Sequence, residues 1–290
     1  MYSNDNAYQS VDGIHPSIKE HWVITRTILK KIMNITLECF PNIDGQSLKK
    51  ESEVSEYKGY KRQDFYVNGH EGLLIAPKNP ADGNKWIWRT EFLGAFDQAD
   101  MAMVEKGWHL AYYRISDMYG SPKAIELMRD FQQYLEEEFK LHEKAVLFGF
   151  SRGGLYAFNY SAQYPEKIAK LYLDAPVMDI GSWPGGLFGA DRHHKEWSGC
   201  LEEYEIDEED AKAYVILSHD KINKLVKANL PILVVAGDAD TVVPYEENAK
   251  ILVERYKELG GSFELIIKPG VGHHPHSLDD VKPIFEFLLK

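Results

Sequence analysis

The run Gly149-Phe150-Ser151-Arg152-Gly153-Gly154 holds a serine in the spacing G-x-S-x-G. It closes an apolar run, AVLFGF, and opens onto a helix-compatible one, LYAFNYSAQY. A serine on a sharp strand-to-helix turn exposes its hydroxyl, and glycines beside it let the turn pass close to its neighbours. The chemistry that this context points to is nucleophilic attack on an acyl carbon. The plain structural alternative is that Ser151 caps a helix and the glycines merely make a turn.

A serine hydroxyl is a weak nucleophile and needs a base. Gly270-Val271-Gly272-His273-His274-Pro275-His276 follows the strand-like run FELIIK near the end of the chain. His273, directly after Gly272, is the first candidate, and His274 is the second. His276 is expected to be carried away by Pro275 and the helix that follows. Histidines this close together could also bind a metal. No cysteine or acidic pair at ligand spacing accompanies them, so no metal is expected. The base in turn needs a carboxylate that fixes its tautomer. Gly237-Asp238-Ala239-Asp240-Thr241-Val242-Val243-Pro244 follows the run PILVVA. Asp240 lies past the strand end and is the first candidate. Asp238 is nearer the strand, where an aspartate usually satisfies turn amides. Asp174, at the end of KLYLD, is a third.

These residues need elements to hold them. Residues 60–67 and 71–76 read as strands around Asn68-Gly69, a hairpin signal. Strand runs are expected at 85–89, 108–114, 145–150, 170–174, 231–236 and 263–268. Helical runs are expected near 95–106, 122–140, 155–164, 245–259 and 278–289. This alternation implies a mostly parallel sheet flanked by helices. Residues 14–40 read as a helical extension, and 41–58 as a polar linker. The expected organisation is therefore an extension and linker over 1–58 and one α/β domain over 59–290. Residues 177–229 break the rhythm as a cap-like insertion that could roof a site.

GFSRGG, GDADTVVP and PGVGHH, in this order and on these elements, resemble the α/β-hydrolase superfamily over about residues 60–290. The resemblance implies the α/β-hydrolase fold and the order Ser151, Asp240, His273 for nucleophile, acid and base. It implies no cofactor. Many members carry His-Gly after the third strand, but here the run is Trp88-Arg89-Thr90-Glu91-Phe92-Leu93-Gly94. Its second half is similar to the turn of dienelactone hydrolases. By that similarity, the Phe92 and Arg152 amides would hold an oxyanion. Glu91 would then lie near Ser151, restraining its hydroxyl or binding a polar substrate group. Otherwise it is a buried structural carboxylate paired with Arg89 or Arg114. The Arg152 side chain either reaches a substrate carboxylate or ties down a loop. Trp183, Phe188 and Trp197 either line the pocket or form the insertion's own core.

The expected reaction is hydrolysis of a small carboxylic ester, such as an acylated sugar or an aromatic ester, through an acyl-enzyme. Lactone or amide hydrolysis is the near rival. A peptidase of the same fold is kept as an alternative, with the prolyl oligopeptidase type less expected because such enzymes usually carry a further large domain. A binding protein on the same scaffold is the non-enzymatic rival.

The composition fits this reading. The chain has 290 residues, a net charge of -12 and 44% hydrophobic residues. An acidic surface repels phosphate backbones, so nucleic-acid binding is not expected. No signal-like or bilayer-length apolar run is visible, which gives a cytoplasmic expectation and no membrane partner. The partner is a small acyl substrate, and self-association is left open. Cys39 and Cys200 read as free thiols rather than a disulfide framework.

Overall fold

The computed structural model describes residues 53–214 and 216–290. The helical extension expected at 14–40 and residue Cys39 lie outside the described residues.

Nine strands form one sheet: β1 (Glu53–Tyr57), β2 (Tyr60–Val67), β3 (His70–Ala76), β4 (Trp86–Arg89), β5 (His109–Tyr113), β6 (Ala145–Phe150), β7 (Ile168–Asp174), β8 (Ile232–Gly237) and β9 (Phe263–Lys268). Their spatial order is β1-β2-β3-β5-β4-β6-β7-β8-β9. The first three strands and β5 pair antiparallel, and the rest pair parallel. The β2–β3 turn runs through Asn68 (φ 50°) and Gly69 (φ 81°), the left-handed pair that such a hairpin requires. Eight helices are described: α1 (Gln98–Glu105), α2 (Pro122–Glu138), α3 (Gly153–Gln163), α4 (His194–Tyr204), α5 (Glu208–Ala213), α6 (His219–Lys227), α7 (Ala249–Glu258) and α8 (Lys282–Leu289). This is the α/β-hydrolase architecture expected from the motifs.

Strand periodicity divides the core into two layers. Trp86, Trp88, Ala145 and Leu147 face one side with residues of α2, α3 and α7. Ile87, Val146, Phe148 and Phe150 face the other with Met103, Ile284 and Phe287. Because both faces of β6 are covered, its sequence is a continuous apolar run rather than an alternating one.

Three local expectations change. Residues 53–57 are a strand at the sheet edge, not a linker. Residues 95–106 yield a shorter helix, because the chain first turns through Phe96 at φ 50°. The insertion is not irregular, since it carries α4, α5 and α6. Its Trp197, Cys200, Ile222 and Leu225 are buried in the larger core layer. The acidic run 202–210 is divided between the end of α4 and the start of α5. Cys200 is a free thiol whose burial raises its pKa to about 12, so it is inert.

One buried ion pair sets the turn beyond β4. Arg89 and Asp100 are both fully buried. Arg89 Nε donates to Asp100 Oδ1 at 2.9 Å, and its terminal nitrogen also reaches the carboxylate. The guanidinium lies 3.7 Å over the Phe150 ring, one residue before Ser151. Removing one partner would leave the other charge buried and uncompensated, which costs about 3–5 kcal/mol. Asp100→Ala is therefore expected to lower the unfolding free energy by about that amount in urea titration. A loss under about 1 kcal/mol would contradict this account.

Candidate active site

The parallel strands end at one edge of the sheet. The loops leaving β4, β6, β8 and β9 at that edge carry Glu91 and Phe92, Ser151, Asp240, and His273 respectively.

Ser151 adopts φ 48°, a left-handed conformation that non-glycine residues rarely hold without support. The support is specific. The Ser151 N–H donates to the Asp174 carbonyl at 3.0 Å, and its own carbonyl accepts from Gly154 (2.9 Å) and Val177 (2.8 Å). Gly149 explains the sequence motif sterically. A Cβ there would lie 2.9 Å from both Ala157 Cβ and Leu173 Cδ2, closer than packed carbon atoms allow.

Ser151 Oγ lies 2.9 Å from His273 Nε2, and His273 Nδ1 lies 2.7 Å from Asp240 Oδ2. A carboxylate can only accept, so the Nδ1–H donates to it and Nε2 is left to accept from the serine. The other Asp240 oxygen accepts from the Val242 and Val243 amides, both at 2.9 Å. Burial pushes the Asp240 pKa up, but the bonds from His273 and these amides outweigh it, and the net shift is downward. Asp240 therefore stays ionised beside its imidazole. The close approach of the two loops depends on Gly237. A Cβ there would sit 2.1 Å from the Val271 carbonyl oxygen.

The other sequence candidates take definite places. Asp238 accepts from the Gly270 N–H at 2.6 Å, the turn role expected for it. Asp174 is fully buried and holds a second histidine, with Oδ1 at 2.9 Å from His276 Nδ1. Its Oδ2 accepts from Tyr172 OH (2.8 Å) and Ser277 N (2.9 Å). The expectation that Pro275 would carry His276 away is therefore wrong. The loop folds back, and His276 is only 6% exposed. His274 is the exposed member of the trio and stacks on Phe96 at 5.9 Å. Burial, with the neighbouring His276 and His273, lowers its pKa.

Glu91 pairs with neither Arg89 nor Arg114, which are taken by Asp100 and Glu71. It accepts from Ser116 Oγ at 2.9 Å and lies 3.4 Å from Arg152 Nε. Burial raises the Glu91 pKa, and the Arg152 charge, the Ser116 bond and the Phe92 amide work against that rise. Arg152 NH1 also donates to Asp117 at 2.8 Å, so this side chain ties loops together. Phe92 has φ 57° and is 38% exposed. Among the described residues, neither the Phe92 nor the Arg152 N–H donates to a backbone carbonyl.

A cavity of about 190 Å³ opens beside the serine. Phe92, Ala95, Phe96, Phe150, Ser151 and the three histidines line it. Trp183 does not. Its ring instead meets Tyr119 (6.3 Å) and His193 (5.7 Å), while Trp197 is buried in the core and Phe188 is exposed. The lining aromatics Phe96 and Phe150 were not singled out by sequence, because nothing local distinguishes them from other core aromatics.

The fold and this hydrogen-bonded serine, histidine and aspartate define a serine hydrolase of the α/β-hydrolase type. The sequence profile of the prolyl oligopeptidase family (Peptidase_S9) matches residues 106–290, well over half of the chain, and the chain belongs to that family. This match favours the peptidase alternative over the ester hydrolase, and the argument from a further large domain gives way to it. The chain is 24% identical over 216 residues to the acylamino-acid-releasing enzyme of Rattus norvegicus, covering 65% of this chain and 28% of the relative. It thus spans little more than a quarter of that relative's length. Among solved structures, it is similar to a protein assigned as a dipeptidyl aminopeptidase IV from Bacteroides ovatus. The TM-score is 0.56 at 17% identity, over 82% of this chain and 36% of the other. It is also similar to a puromycin-hydrolyzing peptidase of Mycobacterium tuberculosis, with TM-score 0.56 at 12% identity, over 77% and 36% of the two chains. No helix among the described residues is long and apolar enough to cross a membrane.

Asp240→Asn would preserve the loop but reverse the hydrogen bond that sets the His273 tautomer. A drop in kcat of roughly 10⁴ is expected, on the scale of such a change in other triads, with little change in KM. A drop of less than tenfold would mean that another carboxylate does this work.

Proposed function

We propose that this protein is a serine peptidase or amidase that cleaves the acyl bond of a short, N-substituted peptide-like substrate. The observation that carries the reading is the continuous chain from Ser151 Oγ through His273 to Asp240, at 2.9 and 2.7 Å, in a member of a peptidase family.

The steps follow from the atoms. Ser151 Oγ attacks the carbonyl carbon while His273 Nε2 accepts its proton. The carbonyl oxygen becomes an oxyanion, for which the Arg152 N–H and the Phe92 N–H are the assigned donors, the Phe92 N–H having to turn from the Glu91 carboxylate that it serves at rest. One such donor contributes about 2.7–4 kcal/mol to lowering the barrier where this has been measured. His273 then returns the proton to the departing amine, which leaves the acyl group on Ser151. Water attacks next, His273 takes a proton from it, and the acid departs as Ser151 recovers its hydrogen. Asp240 stays ionised throughout and steadies the imidazolium. Glu91 and Arg152 are positioning residues in this scheme. Their mutual pairing holds the Phe92 turn against the elbow.

Peptide-type bonds are preferred over esters for two reasons. The family match favours them, and the sequence relative is an acylamino-acid-releasing enzyme. An ester reading keeps one point in its favour, the small cavity of about 190 Å³, which suits a short acyl group or a single ring. Any site that expels an amine also expels an activated alkoxide, so the two readings separate only on amides.

The test is kcat/KM for N-acylated amino-acid and dipeptide p-nitroanilides beside short-chain p-nitrophenyl esters. Turnover of at least one anilide, lost in Ser151→Ala, is the expected outcome. Ester turnover with no anilide cleavage across the panel would return the assignment to an ester hydrolase.

A further inference from the structure

The three histidines of the 273–276 loop form a cluster larger than catalysis requires. The ring centroids of His273, His274 and His276 lie 4.9 Å apart in all three pairs. The three rings are mutually steep, at 68°, 79° and 89°. One ligand nitrogen from each lies within 4.8 Å of the others. Among the described residues, this is the group of side chains whose ligand atoms converge in this way.

Two of the three rings are held as metal-binding histidines usually are. A ligating imidazole commonly donates its second N–H to a carboxylate, which fixes the ring and leaves the other nitrogen's lone pair outward. His273 Nδ1 is on Asp240 at 2.7 Å, and His276 Nδ1 is on Asp174 at 2.9 Å. Each therefore presents Nε2. His274 is the exposed third; among the described residues neither of its nitrogens bonds to the protein, and its ring stacks on Phe96 and meets His273 and His276 edge-on. The local charge also suits a cation. Two carboxylates stand behind the rings, against one nearby ammonium, Lys268, which donates to the Pro275 and Ser277 carbonyls.

We propose that this trio is an inhibitory site for a borderline transition-metal ion, Zn²⁺ or a similar Cu²⁺ or Ni²⁺. The proposal rests on the assignment of His273 as the base. Three imidazoles are a donor set for these ions and not for Ca²⁺ or Mg²⁺. A tetrahedral Zn²⁺ with Zn–N bonds near 2.0–2.1 Å needs nitrogens about 3.3 Å apart. The exposed His274 ring can turn toward such an ion, and the remaining closure, from nitrogens within 4.8 Å of one another, falls to small shifts of the 273–276 loop. Metal at His273 Nε2 takes the lone pair that otherwise accepts the Ser151 proton. The hydroxyl then has no base, and attack stops until the ion leaves. The Ser151 Oγ–His273 Nε2 hydrogen bond is given up, no covalent bond breaks, and no oxidant or reductant is required. This differs from a zinc hydrolase, in which metal would be needed for turnover rather than opposed to it.

The test has two arms that separate this proposal from the serine-hydrolase reading. In the first, ZnCl₂ and MgCl₂ are titrated into chelator-treated wild type and His274→Ala by calorimetry, which needs no activity. In the second, the rate of labelling by a fluorophosphonate is followed with and without the same ions. Wild type is expected to bind one Zn²⁺ in the micromolar range, to ignore Mg²⁺ and to lose labelling as zinc saturates. EDTA is expected to restore the rate. His274→Ala, with each titration referred to its own metal-free labelling rate, is expected to need at least tenfold more zinc for inhibition. Equal zinc sensitivity in wild type and His274→Ala would overturn the proposal, as would activation by zinc or the absence of calorimetric binding below millimolar zinc. If metal-free wild type does not label at all, the base assignment falls while the calorimetric arm still decides whether the trio binds metal.

Discussion

Asp174 is the residue on which the two halves of the site depend. Its backbone carbonyl accepts the Ser151 N–H at 3.0 Å and so holds the nucleophile in its left-handed turn. Its buried side chain holds His276 and the Ser277 amide at 2.9 Å, and so anchors the loop that carries His273. One residue at the end of β7 thus joins the elbow after β6 to the loop after β9. The price of burying this carboxylate is offset by three hydrogen bonds, which leave it no unpaired oxygen. The triad can be short and straight because both of its ends are referred to the same fixed point.

The sheet supplies the rest of the geometry. Parallel strands carry their following loops to one edge, so residues far apart in sequence meet there. Ser151 and His273 are 122 positions apart and still form a bond. The two faces of β6 are sealed by separate core layers, and the Arg89–Asp100 pair stiffens the neighbouring turn beneath Phe150. Strain at Ser151 is therefore borne by a rigid surround rather than by the loop alone.

Much of this was legible in the sequence, for physical reasons. A strand covered on both faces must be apolar throughout, and AVLFGF and PILVVA announce themselves in that way. The glycines of G-x-S-x-G are required by contacts of under 3 Å, so the motif is a record of sterics. The order of serine, acid and histidine then places Asp240 and His273. What was hidden follows equally from physics. The strand 53–57 lies at the sheet edge and is mostly exposed, so its sequence, EVSEY, is polar and reads as a linker. The helices of the insertion are short, at 11, 6 and 9 residues, and each buries at most three side chains, so few positions carry their pattern. The Asp174–His276 bond joins residues 102 positions apart, and no local pattern signals it. The partners of Glu91 were misjudged because sequence offers several arginines and only packing chooses Arg152.

The account's central claim is that Ser151 is an activated nucleophile, and intact-mass labelling with a fluorophosphonate tests it most directly. Wild type and Ser151→Ala are compared side by side, both first checked for folding by circular dichroism. One adduct per wild-type chain and none on Ser151→Ala is the result this account expects. An adduct of equal stoichiometry on the variant, or none on folded, metal-free wild type, would contradict it.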